Sequence, residues 1–228
     1  EAVLVLVPSR ATLEDCVTAG IDRDRLRLVP WGIDRRPPAR EAVEDVRERY
    51  GLHRGYVVVV GTLEPRKNLR RLLQAWERLD ADVDLVVVGP SGWGDVGETG
   101  GPGSGSDRNV SMIGFVDDAT RDALYAGALA SAYPSLTEGF GLPVLEAMAM
   151  GCPVVTSAGT ATEELVAGGA GLAVDPLDVG AIAGALGRVL ADAGLRASLR
   201  EAGLRRAGEL TWQATAEATV AAYREVAG

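Results

Sequence analysis

The feature that most restricts the fold of this chain is a series of short, valine-rich apolar runs, each followed by a loop and a helical stretch. Tyr56–Val60 reads YVVVV and Leu85–Val88 reads LVVV, with no polar alternation, so neither face of these segments is suited to water. Strands buried on both faces need helices on both faces, and crossover helices are what join parallel strands. The predicted strands are Val3–Val7, Leu26–Pro30, Tyr56–Val60, Leu85–Val88, Val110–Ile113, Leu129–Tyr133, Val154–Ser157 and Gly171–Val174. The predicted helices cover Thr12–Ala19, Arg40–Tyr50, Asn68–Leu79, Thr120–Ala126, Pro143–Met150, Ala161–Val166 and Leu177–Ala193. The class is α/β, a Rossmann-like parallel sheet with helices on both faces.

The 228 residues suffice for one large domain or one domain plus a piece of another. Val3–Val7 reads as a buried strand that arrives at once, without the basic region or cleavage site of a signal peptide, and points to material missing upstream. Residues 1–30 read as the remnant of a preceding domain and its crossover, 31–210 as the main domain, and 211–228 as a terminal helix. The formal charge of -9 argues against a nucleic-acid partner, because a polyanion needs a broad basic face. Cys16 and Cys152 lie far apart and outside metal-ligand spacing, and no run is long enough for a transmembrane segment, so the expected location is cytoplasmic.

Gly92 to Asp107 is rich in glycine and is expected to be a mobile loop. Its Gly92, Gly94 and Gly97 match the dinucleotide fingerprint, but no helix opens from them to hold a pyrophosphate, so the match lacks its mechanism.

The most informative segment is Tyr133 to Thr156, YPSLTEGFGLPVLEAMAMGCPVVT, which reads as strand, glycine loop, short helix and strand. Pro143 suits the first helical position and Gly151 the position after the helix end. Gly139 and Gly141 allow close backbone approach, so the amides of Gly139, Phe140, Gly141 and Leu142 can form an anion cradle at the positive helix end. Glu138 and Glu146 bracket the cradle. Taken singly they would be a solvated loop residue and a helix-start charge; beside the glycines, two carboxylates are suited to accept hydrogen bonds from sugar hydroxyls. A second constellation is Val57 to Asn68, VVVVGTLEPRKN, where a buried strand ends in glycine before Arg66 and Lys67. Ligands of open α/β sheets bind outside the carboxyl ends of strands, and two cations there can neutralise a diphosphate.

In order and spacing these motifs resemble the retaining glycosyltransferases of family four, also called group one. The resemblance rests on the E-x7-E pair Glu138 and Glu146, on GTLEPRKN, Gly114-Phe115-Val116, Val174-Asp175-Pro176 and Leu210-Thr211-Trp212, and covers nearly the whole chain. It implies the C-terminal, donor-binding half of a two-domain GT-B enzyme that transfers a hexosyl group from a nucleotide sugar with retention and without an essential metal or other cofactor. By that analogy Arg66 and Lys67 contact the diphosphate, and Glu138 the donor sugar, helped by the Gly139 to Leu142 backbone. Glu146 would take the ribose hydroxyls, the backbone at Ile113 the base, and Gly61 would allow close approach. GDP-mannose is the first expectation for the donor and a UDP-sugar the second; the acceptor, a glycan, lipid or small molecule, is unreadable. The missing N-terminal domain would be the partner of both chain ends, the isolated fragment would not turn over, and the full-length enzyme could lie peripheral to a membrane. The rivals are a nucleotide-sugar epimerase, which would be expected to carry more histidines than the single His53, a binding module that has lost chemistry, and, least favoured, an NAD-linked oxidoreductase.

Overall fold

A computed structural model describes residues 2–93 and 109–227. Six strands form one fully parallel sheet: β3 (Gly55–Val60), β4 (Val83–Val88), β5 (Val110–Gly114), β6 (Ala130–Tyr133), β7 (Val154–Ser157) and β8 (Leu172–Val174), in the spatial order β5-β4-β3-β6-β7-β8. The chain runs outward from β3 to one edge, returns to pair β6 with β3, and runs outward to the other edge. The winding reverses between β3 and β6, and in doubly wound sheets the carboxyl ends of the strands at such a reversal are where ligands bind.

Continuous valine runs are explained by which face each residue serves. Tyr56, Val58, Val86 and Val88 enter one core, whereas Val57, Val59, Leu85 and Val87 enter the other. The first core is covered by α2 (Arg40–Arg49), α4 (Asp118–Gly127) and α5 (Leu142–Ala149), the second by α3 (Leu69–Trp76) and α7 (Val179–Ala191). The α6 helix (Ala161–Leu165) follows β7, and α8 (Ala193–Glu209) packs on α5.

Three sequence expectations need correction. Val3 is 64% exposed and the described strand β1 (Val5–Val7) buries only Val7, pairing in parallel with β2 (Leu26–Leu28) as a separate two-stranded sheet. Pro143 is the second helical residue, because α5 begins at Leu142. The α8 helix was not expected at all. Asp192 ends α7 in a non-helical conformation and its carboxylate caps the next helix at Leu195, so one apparent helix end is also a helix start. The expected loop at Gly92 to Asp107 lies, from residue 94 onward, outside the described residues. Among those described, no helix is long and apolar enough to cross a membrane.

The segment before α2 is tied to the chain's last helix, α9 (Trp212–Ala227). Ile33 N–H donates to Leu210 O at 2.8 Å, and Thr215 Oγ1 donates to Pro30 O at 2.7 Å. The α1 helix (Arg10–Thr18) also reaches α6, since the Glu164 carboxylate accepts from Arg10 N at 3.0 Å and Ala11 N at 2.8 Å. That carboxylate serves two orphan donors at a helix start.

Candidate active site

Beyond Gly61 the chain leaves β3, makes a short 3-10 turn over Pro65–Lys67 and enters α3 through Asn68. Asn68 is the only non-glycine residue with positive φ among those described (φ 60), and it is buried. Its amide donates to Pro134 O at 2.9 Å and Pro176 O at 2.7 Å, while Leu136 N–H donates to Arg66 O at 2.8 Å. These bonds lock the Arg66–Lys67 turn against the loop after β6, which is why residues far apart in sequence share one site.

The structure brings Arg66, Lys67 and Glu138 together. Glu138 Oε1 accepts from Lys67 Nζ at 2.6 Å, from Tyr133 Oη at 2.9 Å and from Arg66 at 3.0 Å, and Lys67 also donates to the Tyr133 hydroxyl. Arg66 Nε pairs with Glu64 at 2.7 Å. Two cations thus face two carboxylates, so the cluster is balanced, whereas the sequence alone presents Arg66 and Lys67 as unopposed. Burial lowers the Lys67 pKa, and Glu138 works against that shift. Burial and then the Glu138 charge push the Tyr133 hydroxyl up, keeping it a neutral donor. Tyr133 is a site residue that sequence reasoning missed, since a tyrosine ending an apolar strand reads as core. Gly61 lies beneath the lysine: a Cβ built there would stand 3.5 Å from Lys67 Cε.

The glycine loop connects this cluster to α5. Gly141 takes φ 98 and ψ 48 just before the helix, and among the described residues the amides of Gly139, Phe140, Gly141 and Leu142 donate to no protein group. The loop is held from behind instead: Ser9 Oγ and Thr12 Oγ1, on α1, reach Gly139 O at 2.7 and 2.8 Å. Phe140 turns its ring into the core, 5.6 Å from the Trp31 ring. Free amides at a helix N-terminus form an anion-binding surface.

Glu146, one turn into α5, belongs to a different network. Arg121 on α4 stands 3.3 Å from its Oε1. Burial raises the Glu146 pKa and Arg121 opposes this. Such a carboxylate holds its proton more tightly folded than unfolded, so ionising it burdens the fold as pH rises through its raised pKa. Glu146→Gln is therefore expected to raise Tm by a few degrees at pH 7.5 and to lose that advantage at pH 4, in melts followed by circular dichroism. Ile113 sits near the end of β5, its side chain packed on the first core. His53 is exposed, and no group of three or more His, Cys, Asp or Glu side chains converges among the described residues.

A doubly wound parallel sheet, with the Arg66–Lys67–Glu138 cluster at its reversal point, places the chain in the Rossmann-like α/β class. The family model described as glycosyl transferases group 1 matches residues 44–206, and the chain belongs to that family. It is 39% identical over 189 residues to O-antigen chain mannosyltransferase B of Escherichia coli, covering 78% of this chain and 48% of that protein. Against the MMP alpha-(1->4)-mannosyltransferase of Mycolicibacterium hassiacum it is 32% identical over 237 residues, covering 97% of this chain and 54% of the relative. The chain thus spans about half the length of the curated relatives it matches. Among solved structures, sucrose-phosphate synthase from Thermosynechococcus elongatus superposes with a TM-score of 0.81 at 27% identity, over 98% of this chain and 58% of the other. HepE from Anabaena, in complex with UDP and glucose, superposes with a TM-score of 0.87 at 20% identity, over 98% of this chain and 63% of the other, a likeness of fold.

Proposed function

We propose that this chain is the donor-binding half of a two-domain GT-B glycosyltransferase that transfers a hexosyl group from a nucleoside-diphosphate sugar with retention. The observation that carries the reading is the set of free amides from Gly139 to Leu142 beside the Arg66–Lys67–Glu138 cluster, at the reversal point of the sheet. Mannosyltransferases among the relatives favour GDP-mannose as donor, with a UDP-sugar second. Relatives of about twice the length support reading residues 1–30 as the remnant of an N-terminal, acceptor-side domain and its crossover, and 211–228 as the helix that returns to that domain.

In this reading the diphosphate meets the amide cradle, and Arg66 and Lys67 turn from their carboxylates to its oxygens. Glu138, thereby released, accepts hydrogen bonds from the donor sugar, and the Glu146 carboxylate accepts them from the ribose diol. The bond from the sugar's anomeric carbon to the phosphate oxygen breaks while the acceptor oxygen bonds that carbon on the same face. The acceptor's proton passes to the departing diphosphate, whose growing charge Arg66 and Lys67 offset. No metal is assigned a role in neutralising that charge.

Calorimetric titration with GDP, UDP, ADP and NAD, with and without magnesium, tests the reading. One nucleoside diphosphate is expected to bind independently of magnesium and about 100-fold more tightly than its nucleoside, the discrimination that about two charge-assisted hydrogen bonds supply. Equal affinity for diphosphate and nucleoside would overturn the diphosphate assignment, and binding of NAD alone would overturn the whole reading.

A further inference from the structure

The charges around Glu146 form a chain that the donor-site reading does not itself require. Arg121 donates toward three carboxylates, with contacts of 3.0 Å to Asp118, 3.2 Å to Asp122 and 3.3 Å to Glu146. Arg35, from the segment before α2, grips the same two aspartates at 2.5 and 2.8 Å. Three carboxylates thus face two guanidinium groups, leaving one negative charge over. Glu146 has the longest contact of the set, and among the described residues no other ion pair and no hydrogen bond reaches its carboxylate. The unspent charge is therefore best placed there, on the side chain one turn beyond the amide cradle.

The arrangement is too specific for a solvated surface pair. The Arg121 side chain is 17% exposed and that of Glu146 16%, and an ion pair so shielded from water depends on its geometry. Arg35 and the two aspartates fix Arg121, whose Nη1 contacts Asp118 while its Nη2 is shared between Asp122 and Glu146. We propose that Arg121 is a positioning residue for donor binding, holding the Glu146 carboxylate charged and aimed at the ribose diol, with Arg35 fixing Arg121 through Asp118 and Asp122. The inference rests on the donor-site reading of Glu146.

The groups that act on Glu146 from α4 are Arg121, Asp118, Asp122 and the buried Tyr125, and from the segment before α2, Arg35. Burial raises its pKa, Arg121 and Arg35 lower it, and the two aspartates raise it. Without Arg121, ionised Glu146 would be rarer near neutrality. A protonated carboxyl has fewer acceptor positions for a diol, so the loss should be greatest at low pH.

The test titrates the whole chain with GDP and UDP at pH 6.0, 7.0 and 8.5, for the parent protein, Arg121→Ala, Arg121→Lys, Glu146→Gln and the Arg121→Ala/Glu146→Gln double variant. The proposal expects Arg121→Ala to bind the preferred diphosphate about tenfold more weakly at pH 6.0, with the deficit shrinking toward pH 8.5, since each tenfold is the effect of one pH unit in the carboxyl's titration. Arg121→Lys should restore most of the affinity, and Arg121→Ala should add nothing to Glu146→Gln. If Glu146→Gln weakens binding but Arg121→Ala does not, or does so equally at every pH and equally in the Glu146→Gln background, the positioning role is overturned and the donor-site reading stands. If the parent protein binds neither diphosphate, or Glu146→Gln leaves the affinity unchanged, the reading of Glu146 itself fails, and this inference with it.

Discussion

Lys67→Ala is expected to weaken nucleoside-diphosphate binding about tenfold while changing affinity for the matching nucleoside less than threefold, of the order of one lost charge-assisted contact. Lys67 is the better buried of the two cations, at 12% side-chain exposure against 40% for Arg66, so its interaction with an anion is less screened. Arg66→Ala should therefore act in the same direction with a smaller effect. Lys67→Met keeps the stem over Gly61 and removes only the charge; it should match Lys67→Ala in binding and exceed it in Tm. Titration of GDP, UDP and their nucleosides against the three variants reads the affinities, and thermal melts read the Tm order. Unchanged diphosphate affinity in Lys67→Ala would remove the lysine from the site and reduce its contacts with Glu138 and Tyr133 to a structural pin.

The same residue shows what sequence could and could not reveal. Valine runs make the sheet legible because burial on both faces leaves a one-dimensional signature, and all eight expected strands match in place with shifts of no more than two residues at their ends. The glycine loop was legible for a similar reason, since Gly139 and Gly141 stand at a helix start that Pro143 and Gly151 delimit. The partners of the charges were not. Nothing local in GTLEPRKN announces that Glu138 will neutralise Lys67, because the bond depends on β3 and β6 being neighbours, a pairing set by the whole sheet. Arg121 and Arg35 were missed for the same reason: each reads as an ordinary charge on a polar segment, and only the packing of α4 on α5 and on the segment before α2 gives them common partners. Ser9 and Thr12 were likewise invisible, as helix-start hydroxyls usually cap their own helix. Here Ser9 does so and also supports the glycine loop from the far end of the sequence.

These supports share a purpose. Amides left unbonded at Gly139 to Leu142 would collapse onto any nearby acceptor unless the loop were held in place, and its carbonyl at Gly139 is gripped by two hydroxyls while Phe140 is anchored against Trp31. The loop is thus held through its carbonyl and its aromatic ring, while among the described residues its amides have no protein partner. Rigid placement of unsatisfied donors is what lets an anion bind without the protein having to reorganise.

Gly141→Ala is expected to cost about 3–5 kcal/mol of stability, combining a strained backbone with an overpacked contact. At φ 98 and ψ 48 an L side chain is disfavoured, and a Cβ there would lie 2.5 Å from Thr162 Cγ2. Thr162 cannot swing away, because it is fully buried and its hydroxyl contacts Thr156 at 2.7 Å and Thr160 at 2.8 Å. In a chain of this size the penalty should appear as a fall in Tm of roughly 10 °C. Thr162→Ser removes the clashing methyl and keeps the hydroxyl, so it should recover part of the loss in the double variant, leaving the backbone share. Diphosphate affinity should stay depressed in that double variant, because relief of the clash does not return the loop to the φ that aims its amides. A Gly141→Ala protein that melts with the parent would show that the left-handed turn is not required. One that melts early yet binds the diphosphate normally would show that the cradle does not depend on it.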